Sequence, residues 1–227
     1  MNEPMRINRY LARCGLGSRR AVERLLLEGR VQLDGAQIFD LATRVHPNSV
    51  VTVDGARLRL PARRTILLLH KPPLTLCTAS DPEGRPTIYD LLPHEMKNLR
   101  YVGRLDWETR GLLLLTDDGE LSRRLTHPEW KLQRLYRAHL SRPLANHEAL
   151  TLMEGVELPP EEGYRSGAIK TSPCEIRIRE SEAELLLQEG KNREVRRMMA
   201  LFGIDVVDLV RLSYGPIDLG ELAEGEW

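Results

Sequence analysis

The sequence predicts an α+β fold in two parts. A small N-terminal α/β domain spans residues 1–64, and a larger domain spans 65–227, with a mixed, mainly antiparallel sheet flanked by helices. Three observations predict this. Charge is unevenly spread: the chain carries 33 Lys+Arg and 33 Asp+Glu, yet residues 1–64 hold 12 of the basic and 6 of the acidic ones, a net +6 that the remainder offsets with −6. Within that segment two runs of helical periodicity precede two short alternating runs, each closed by Asp-Gly. Beyond it, strand-like and helix-like runs are interspersed without strict βαβ alternation, which points to a mixed or antiparallel sheet.

Composition narrows the class. A length of 227 residues suits one or two domains with an ample core, and 41% hydrophobic with 29% charged residues suits a soluble globular chain. No apolar run approaches a transmembrane span, and the opening MNEPMRINRY lacks the apolar centre of a signal peptide. The expectation is therefore a cytoplasmic protein without a membrane partner. Cys14, Cys77 and Cys174 lie far apart with no CxxC, which argues against a disulfide framework or a zinc site, and the six histidines show no HxxxH or HExxH spacing. No metal is expected.

The elements follow in order. Ile7, Tyr10, Leu11 and Cys14 make one apolar helix face, with Arg6, Arg9 and Arg13 on a neighbouring face. Gly15-Leu16-Gly17 breaks this helix, and Ser18 is placed to cap a second, Arg19 to Glu28, whose inward residues are Ala21, Val22, Leu25 and Leu26. Gly29 ends it. VQLDG at 31–35 and VTVDG at 51–55 read as short strands with Asp-Gly turns. All 12 basic residues of this segment are arginines, so a nucleic-acid-binding module is expected. Pro61-Ala62-Arg63-Arg64 has the composition of a linker, and the domain boundary is placed there.

In the larger domain, Thr65 to Leu69 reads as a buried strand running into His70-Lys71-Pro72-Pro73, where prolines stop regular structure. Leu74 to Ser80 alternates as a strand would, and Asp81 to Pro86 is turn chemistry. Thr87 is placed to cap a short helix carrying Ile88, Leu91 and Leu92. The stretch GRLDWETRGLLLLTDDG, 103–119, sets an acid, Asp106, in a polar loop ahead of four leucines with no polar face. Bounded by Gly111 and by Asp118-Gly119, those leucines read as a strand buried on both sides, able to hold the loop rigidly. A helical turn or two over 120–125 follows, with Leu121 and Leu125 inward. A strand containing Tyr136 lies within 131–141, and a helix over 146–154 turns Leu150 and Met153 inward. Strands are expected at 174–179 and 183–188. Asn192 is placed to cap a helix to Phe202 with Val195, Met198, Met199 and Phe202 on its apolar face. Lys191, Arg193, Arg196 and Arg197 crowd its first turns, where cations are unfavourable unless anions are expected. A last strand runs from Val206 to Leu212.

Two resemblances emerge from these residues. RINRYLARCGLGSRRAVERLLLEGRVQLDG resembles the S4-type RNA-binding domain, which implies binding of structured RNA through Arg6, Arg9, Arg13, Arg19 and Arg20. Guanidinium forks suit phosphate oxygens, and A-form RNA is read mainly through backbone and shape. HKPP with CTASDPEGRPT, GRLDWETRGLLLLTDDG, the strand around Tyr136, and EGKNREVRRMMALFG with VRLSYGP together resemble the bacterial rRNA pseudouridine synthases of the small-subunit-type branch, which carry an S4-like domain in front. That family detaches a uridine base from N1, turns it and rejoins it to the ribose through C5. The resemblance implies a catalytic aspartate at Asp106, an active-site tyrosine at Tyr136 and an aspartate-pairing arginine at Arg196, with Lys71 matching the lysine of the first motif. Leu74 departs from the glycine usual after the proline pair.

On this reading Asp106 must be ionised, either to attack the sugar or to take a proton from it, and Arg196 beside it would keep it so. Tyr136 offers a flat face for an extruded base. Lys71, Arg104, Lys191, Arg193 and Arg197 are assigned to the substrate. No cofactor is needed. The expected partner is a structured stem-loop of ribosomal RNA, with wording closer to the large-subunit (23S) enzymes, and the expected state is a monomer. Two rivals stand beside this: a catalytically inactive RNA-binding assembly factor of the same fold, and a metal-dependent phosphohydrolase using Asp117 and Asp118.

Overall fold

The computed structural model describes residues 3–61, 64–160 and 168–227. The chain divides into two compact units, Met1–Thr65 and Ile66–Trp227. Ala62 and Arg63 of the expected linker lie outside the described residues.

The first unit contains β1 (Met5–Arg6), α1 (Ile7–Arg13), α2 (Arg19–Leu27), β2 (Val31–Leu33), β3 (Ala36–Gln37), β4 (Arg44–Val45), β5 (Val51–Val53) and β6 (Ala56–Arg57). α1 buries Ile7, Tyr10 and Leu11 as their spacing predicts. Ser18 caps α2, its Oγ accepting from the Ala21 amide at 3.1 Å. The buried row of α2 is Val22 and Leu26 with Leu25 at its edge; Ala21, expected inside, stands on the solvent side of the first turn. Both Asp-Gly pairs hold positive φ at both residues, as a two-residue hairpin with right-handed twist requires. The hairpins give a sheet of order β3-β2-β5-β6, whose outer strands are two residues long and too short for periodicity to reveal.

The second unit contains β7 (Ile66–Lys71), β8 (Arg100–Val102), β9 (Arg110–Thr116), α3 (Gly119–Thr126), β10 (Arg134–Leu140), α4 (Asn146–Met153), β11 (Glu157–Leu158), β12 (Ile169–Lys170), β13 (Glu175–Arg179), β14 (Glu182–Leu187), α5 (Glu194–Ala200), β15 (Val206–Tyr214) and β16 (Ile217–Asp218). Its sheet runs β13-β14-β10-β15-β9-β7, with β16 on β15 and β8 on β9. The β9–β15 pair is parallel and the other described pairs are antiparallel, so the sheet is mixed and mainly antiparallel.

β9 is the spine. Leu112, Leu113, Leu114 and Leu115 are each fully buried. Alternation sends Leu113 and Leu115 into one apolar cluster, with Leu69, Ala138, Leu185 and Met199, and Leu112 and Leu114 into another, with Val102, Val210 and Tyr214. Burial of this kind stabilises by on the order of 2 kcal/mol per leucine, which anchors whatever is attached to the strand's head.

Several local expectations are corrected. Leu74 to Ser80 forms no strand: Leu74 sits at φ +55°, and only Leu76 makes an isolated bridge, to Thr87. A left-handed φ costs a leucine about 1–2 kcal/mol, which explains why glycine suits this position in the resembled family. Gly111 lies inside β9 rather than before it. Asp118-Gly119 opens α3 instead of making a turn, Asp118 accepting from the Glu120 amide at 3.0 Å. Leu150 faces solvent, because α4 buries Ala149 and Leu152 and spends Glu148 on capping Ala145 and binding Arg142.

Candidate active site

The site is organised on one row of the sheet. Register places Leu185, Tyr136, Arg211, Gly111 and Lys71 side by side across β14, β10, β15, β9 and β7. At Gly111 the parallel strands come so close that a Cβ would lie 2.4 Å from the Arg211 carbonyl oxygen, and φ is +111°. Only glycine meets both conditions. The loop 103–109 springs from this row.

Lys71 holds that loop. It is fully buried, and its Nζ donates to the carbonyls of Pro72 at 2.9 Å, Thr109 at 2.8 Å and Trp107 at 3.4 Å. Burial depresses its pKa to about 8, with Cys77, Asp106 and Glu224 pulling the other way. The assignment of Lys71 to substrate is therefore corrected: the side chain is tied to the backbone behind Asp106. The Thr109 amide closes the loop on the Asp106 carbonyl at 3.1 Å.

Asp106 lines a cavity of about 310 Å³ together with Arg104, Thr109, Arg134, Tyr136, Lys191, Asn192, Arg193, Glu194, Arg211 and Tyr214. Burial raises the Asp106 pKa above its ordinary value; Arg193, then Arg196, then Arg104 pull it down, and Glu108 pushes it up. The expected Asp106–Arg196 ion pair is not formed. Arg196 donates from Nη1 to the Val206 carbonyl at 2.6 Å, and its Nε lies 3.6 Å from Glu108, which also accepts from Arg193 at 3.2 Å. Glu108, two residues along the loop and overlooked in the sequence, intercepts both guanidinium groups. The Asp106 carboxylate has neither hydrogen bond nor ion pair to any described residue.

The helix of the basic cluster is shorter than expected. α5 begins at Glu194, and its N-cap is Arg193 at φ +46°, without a side-chain cap. Asn192 does not cap; its Oδ1 is buried without a partner among the described residues. Lys191 pairs with Glu189 and donates to the Lys170 carbonyl at 2.8 Å, while its amide donates to Glu194 at 2.9 Å. Glu194 is buried, and that burial, with Glu189 beside it, raises its pKa well above the carboxylate range. Arg197 donates to the Pro159 carbonyl at 2.6 Å and is turned away from the cavity. The four cations thus split: Arg193 and Arg196 stand near Asp106, while Lys191 and Arg197 brace neighbouring backbone.

Tyr136 is buried on the cavity wall. The sequence reading passed over three neighbours. Tyr214 donates its hydroxyl to the Leu125 carbonyl at 2.6 Å, and the guanidinium groups of Arg134 and Arg211 stand 4.6 and 5.0 Å from its ring centroid. Arg134 reaches the Tyr214 hydroxyl at 2.9 Å. The signal for Arg211 was present: a lone cation in the otherwise apolar run LVRL.

In the first unit Arg6 and Arg20 are exposed, and Arg9 and Arg13 are half-buried. Arg6 precedes α1 instead of lying on it, paired with Arg44 across β1–β4. The Arg19 side chain lies outside the described set. No helix among the described residues is long and apolar enough to cross a membrane. The metal-hydrolase rival loses its pair, since Asp118 is committed to capping α3.

Comparison with known proteins matches both units. The family model for RNA pseudouridylate synthase matches residues 65–201, and that for the S4 domain matches residues 5–51. An uncharacterized RNA pseudouridine synthase of Aquifex aeolicus is 37% identical over 98% of this chain and 89% of its own length. The ribosomal large subunit pseudouridine synthase B of Pseudomonas aeruginosa is 38% identical over 98% of this chain and 58% of its own length. A crystal structure of a pseudouridylate synthase superposes with a TM-score of 0.68 at 28% identity, covering 98% of this chain and 94% of that one. With an S4 domain at residues 5–51 and the pseudouridylate synthase match at 65–201, the chain belongs to the RNA pseudouridine synthases, enzymes whose substrate is RNA.

Proposed function

We propose that this chain isomerises a specific uridine of large-subunit (23S) rRNA to pseudouridine, with Asp106 acting on the ribose and Tyr136 stacking against the extruded base. The observation that carries the reading is the Asp106 carboxylate: on a cavity wall, without an ion pair to any described residue, and within the field of Arg193, Arg196 and Arg104. A carboxylate that is to attack C1′ or remove a ribose proton must be ionised yet uncommitted, and these cations favour ionisation without occupying its lone pairs. Stacking on Tyr136 contributes about 1–3 kcal/mol, which offsets much of the cost of extruding a base. Exposed Arg104 suits a flanking phosphate. The name of the Pseudomonas aeruginosa relative supports the large-subunit choice.

Residues 1–64 are assigned to binding a structured stem-loop, through Arg6, Arg9, Arg13, Arg19 and Arg20, and residues 65–227 to the chemistry. The enzyme is taken to act as a monomer in the cytoplasm, where its rRNA substrate would be. The alternative, an inactive assembly factor of the same fold, has against it a complete set of Asp106, Tyr136 and surrounding cations.

Mapping pseudouridine in rRNA from cells with the gene, without it, and with Asp106→Asn tests the proposal. One large-subunit site is expected to disappear without the gene and to stay absent in the variant. In vitro the variant should lose about 10⁴-fold in rate, the upper range for such a group, with RNA affinity nearly unchanged. An active Asp106→Asn protein, or no lost site, refutes it.

A further inference from the structure

Arg211 is among the least accessible side chains in the molecule, at 2% exposure, and it carries a charge. Its Nε donates to the Leu112 carbonyl at 2.8 Å, which fixes the guanidinium to the strand that bears the Asp106 loop. Its Nη2 is buried and has no hydrogen-bond partner among the described residues. No salt bridge to Arg211 occurs among the described residues; its neighbours are the Tyr214 ring and the Cys77 thiol. A buried, uncompensated cation is expensive to keep, and an apolar residue of similar volume would ordinarily serve the fold as well. The carboxylates lining the same cavity are Asp106 and Glu194, the latter occupied by the Lys191 amide. Arg211 nonetheless stands between Tyr136 and Gly111 in the row that builds the site.

We infer that Arg211 is a further catalytic residue, a fixed donor that stabilises the uracil base while it is detached from the ribose. The inference rests on the assignment of this cavity to the target uridine. By either route open to Asp106, the C1′–N1 bond breaks with its electron pair leaving on N1, and the charge spreads over N1, O2 and O4. After the base turns, C5 supplies the pair for the new bond to C1′ while Asp106 either leaves C1′ with its bonding pair or returns the proton it took from the ribose; the C5 proton is lost and N1 gains one, so no co-reactant is consumed. The uracilate anion exists only between these events. A guanidinium held in advance, out of water, and with an unused N–H stabilises it without reorganisation.

The test uses a synthetic stem-loop spanning the mapped uridine, carrying either uridine or 5-fluorouridine there, under single-turnover conditions with the full chain. Fluorine withdraws electrons and makes the departing base less dependent on outside stabilisation. Arg211→Met, near in volume, is expected to lose about 10²–10³-fold in the rate of N-glycosidic cleavage for uridine, the usual cost of one such donor, with RNA affinity unchanged. The deficit should shrink at least about tenfold with 5-fluorouridine, and Arg211→Lys should recover part of the rate. Equal deficits for the two bases, or a loss confined to RNA affinity, overturn the inference. Should Arg211→Met not fold, Arg211→Lys carries the same comparison. Asp106→Asn, run alongside, separates the two ideas: its inactivity with an Arg211→Met of wild-type rate refutes only the role of Arg211, whereas an active Asp106→Asn refutes the site itself.

Discussion

The cations of the two units are used in opposite ways. In the N-terminal unit Arg6 and Arg20 reach into solvent from a segment with twice as many basic as acidic residues. In the catalytic unit several cations in and behind the site donate to a backbone carbonyl: Lys71 to Thr109, Arg134 to Leu132, Lys191 to Lys170, Arg196 to Val206, Arg197 to Pro159 and Arg211 to Leu112. One set is suited to a mobile polyanion, where screening and counterion release dominate. The other is bound into the fold, so its contribution is position. Charge counts predict the first use and say nothing of the second.

If that contrast holds, losing a bound cation should damage geometry, and losing a free one should alter only salt dependence. The largest effect is expected from Lys71→Met, which leaves buried carbonyls unsatisfied behind Asp106. Stability should fall by about 3 kcal/mol in urea denaturation and turnover by at least about 100-fold, since small misplacements of a catalytic group are costly. A stable variant with normal turnover would remove Lys71 from the positioning role.

Glu108→Gln should act through charge alone. It removes the negative charge that raises the Asp106 pKa and that Arg193 and Arg196 face, so that pKa should fall. If Asp106 acts in its ionised form as proposed, the acid limb of the single-turnover pH profile should move to lower pH, with little change near pH 7. A limb that stays in place would mean that the two arginines do not govern Asp106.

The smallest effect is expected from Arg6→Gln with Arg20→Gln. The slope of log affinity against log salt should become shallower by about one to two units, while the rate of bound RNA stays the same. A change in that rate would blur the division between the units.

Much of this arrangement was legible in short stretches. Ile7, Tyr10 and Leu11 announce α1, Ser18 its successor, and the two Asp-Gly pairs their hairpins, because periodicity, caps and left-handed turns are properties of neighbouring residues. Leu112 to Leu115 announced a strand buried on both faces. Where a local rule met competition it failed: Asn192 lost the cap of α5 to Arg193, and Leu150 lost the inward face of α4 to Ala149 and Leu152.

Chemistry behaved likewise. That an acid and a tyrosine meet was readable from Asp106 and Tyr136 through the resemblance of their motifs. Which arginine meets which acid was not. Arg196 answers to Glu108 and to a carbonyl ten residues away, and Arg211 to a carbonyl 99 residues away. Residue order alone thus gives two units, most of their longer elements and a candidate acid. Tertiary structure decides what surrounds that acid, because a guanidinium bonds the nearest acceptor, and which acceptor is nearest depends on strands brought together from distant parts of the chain.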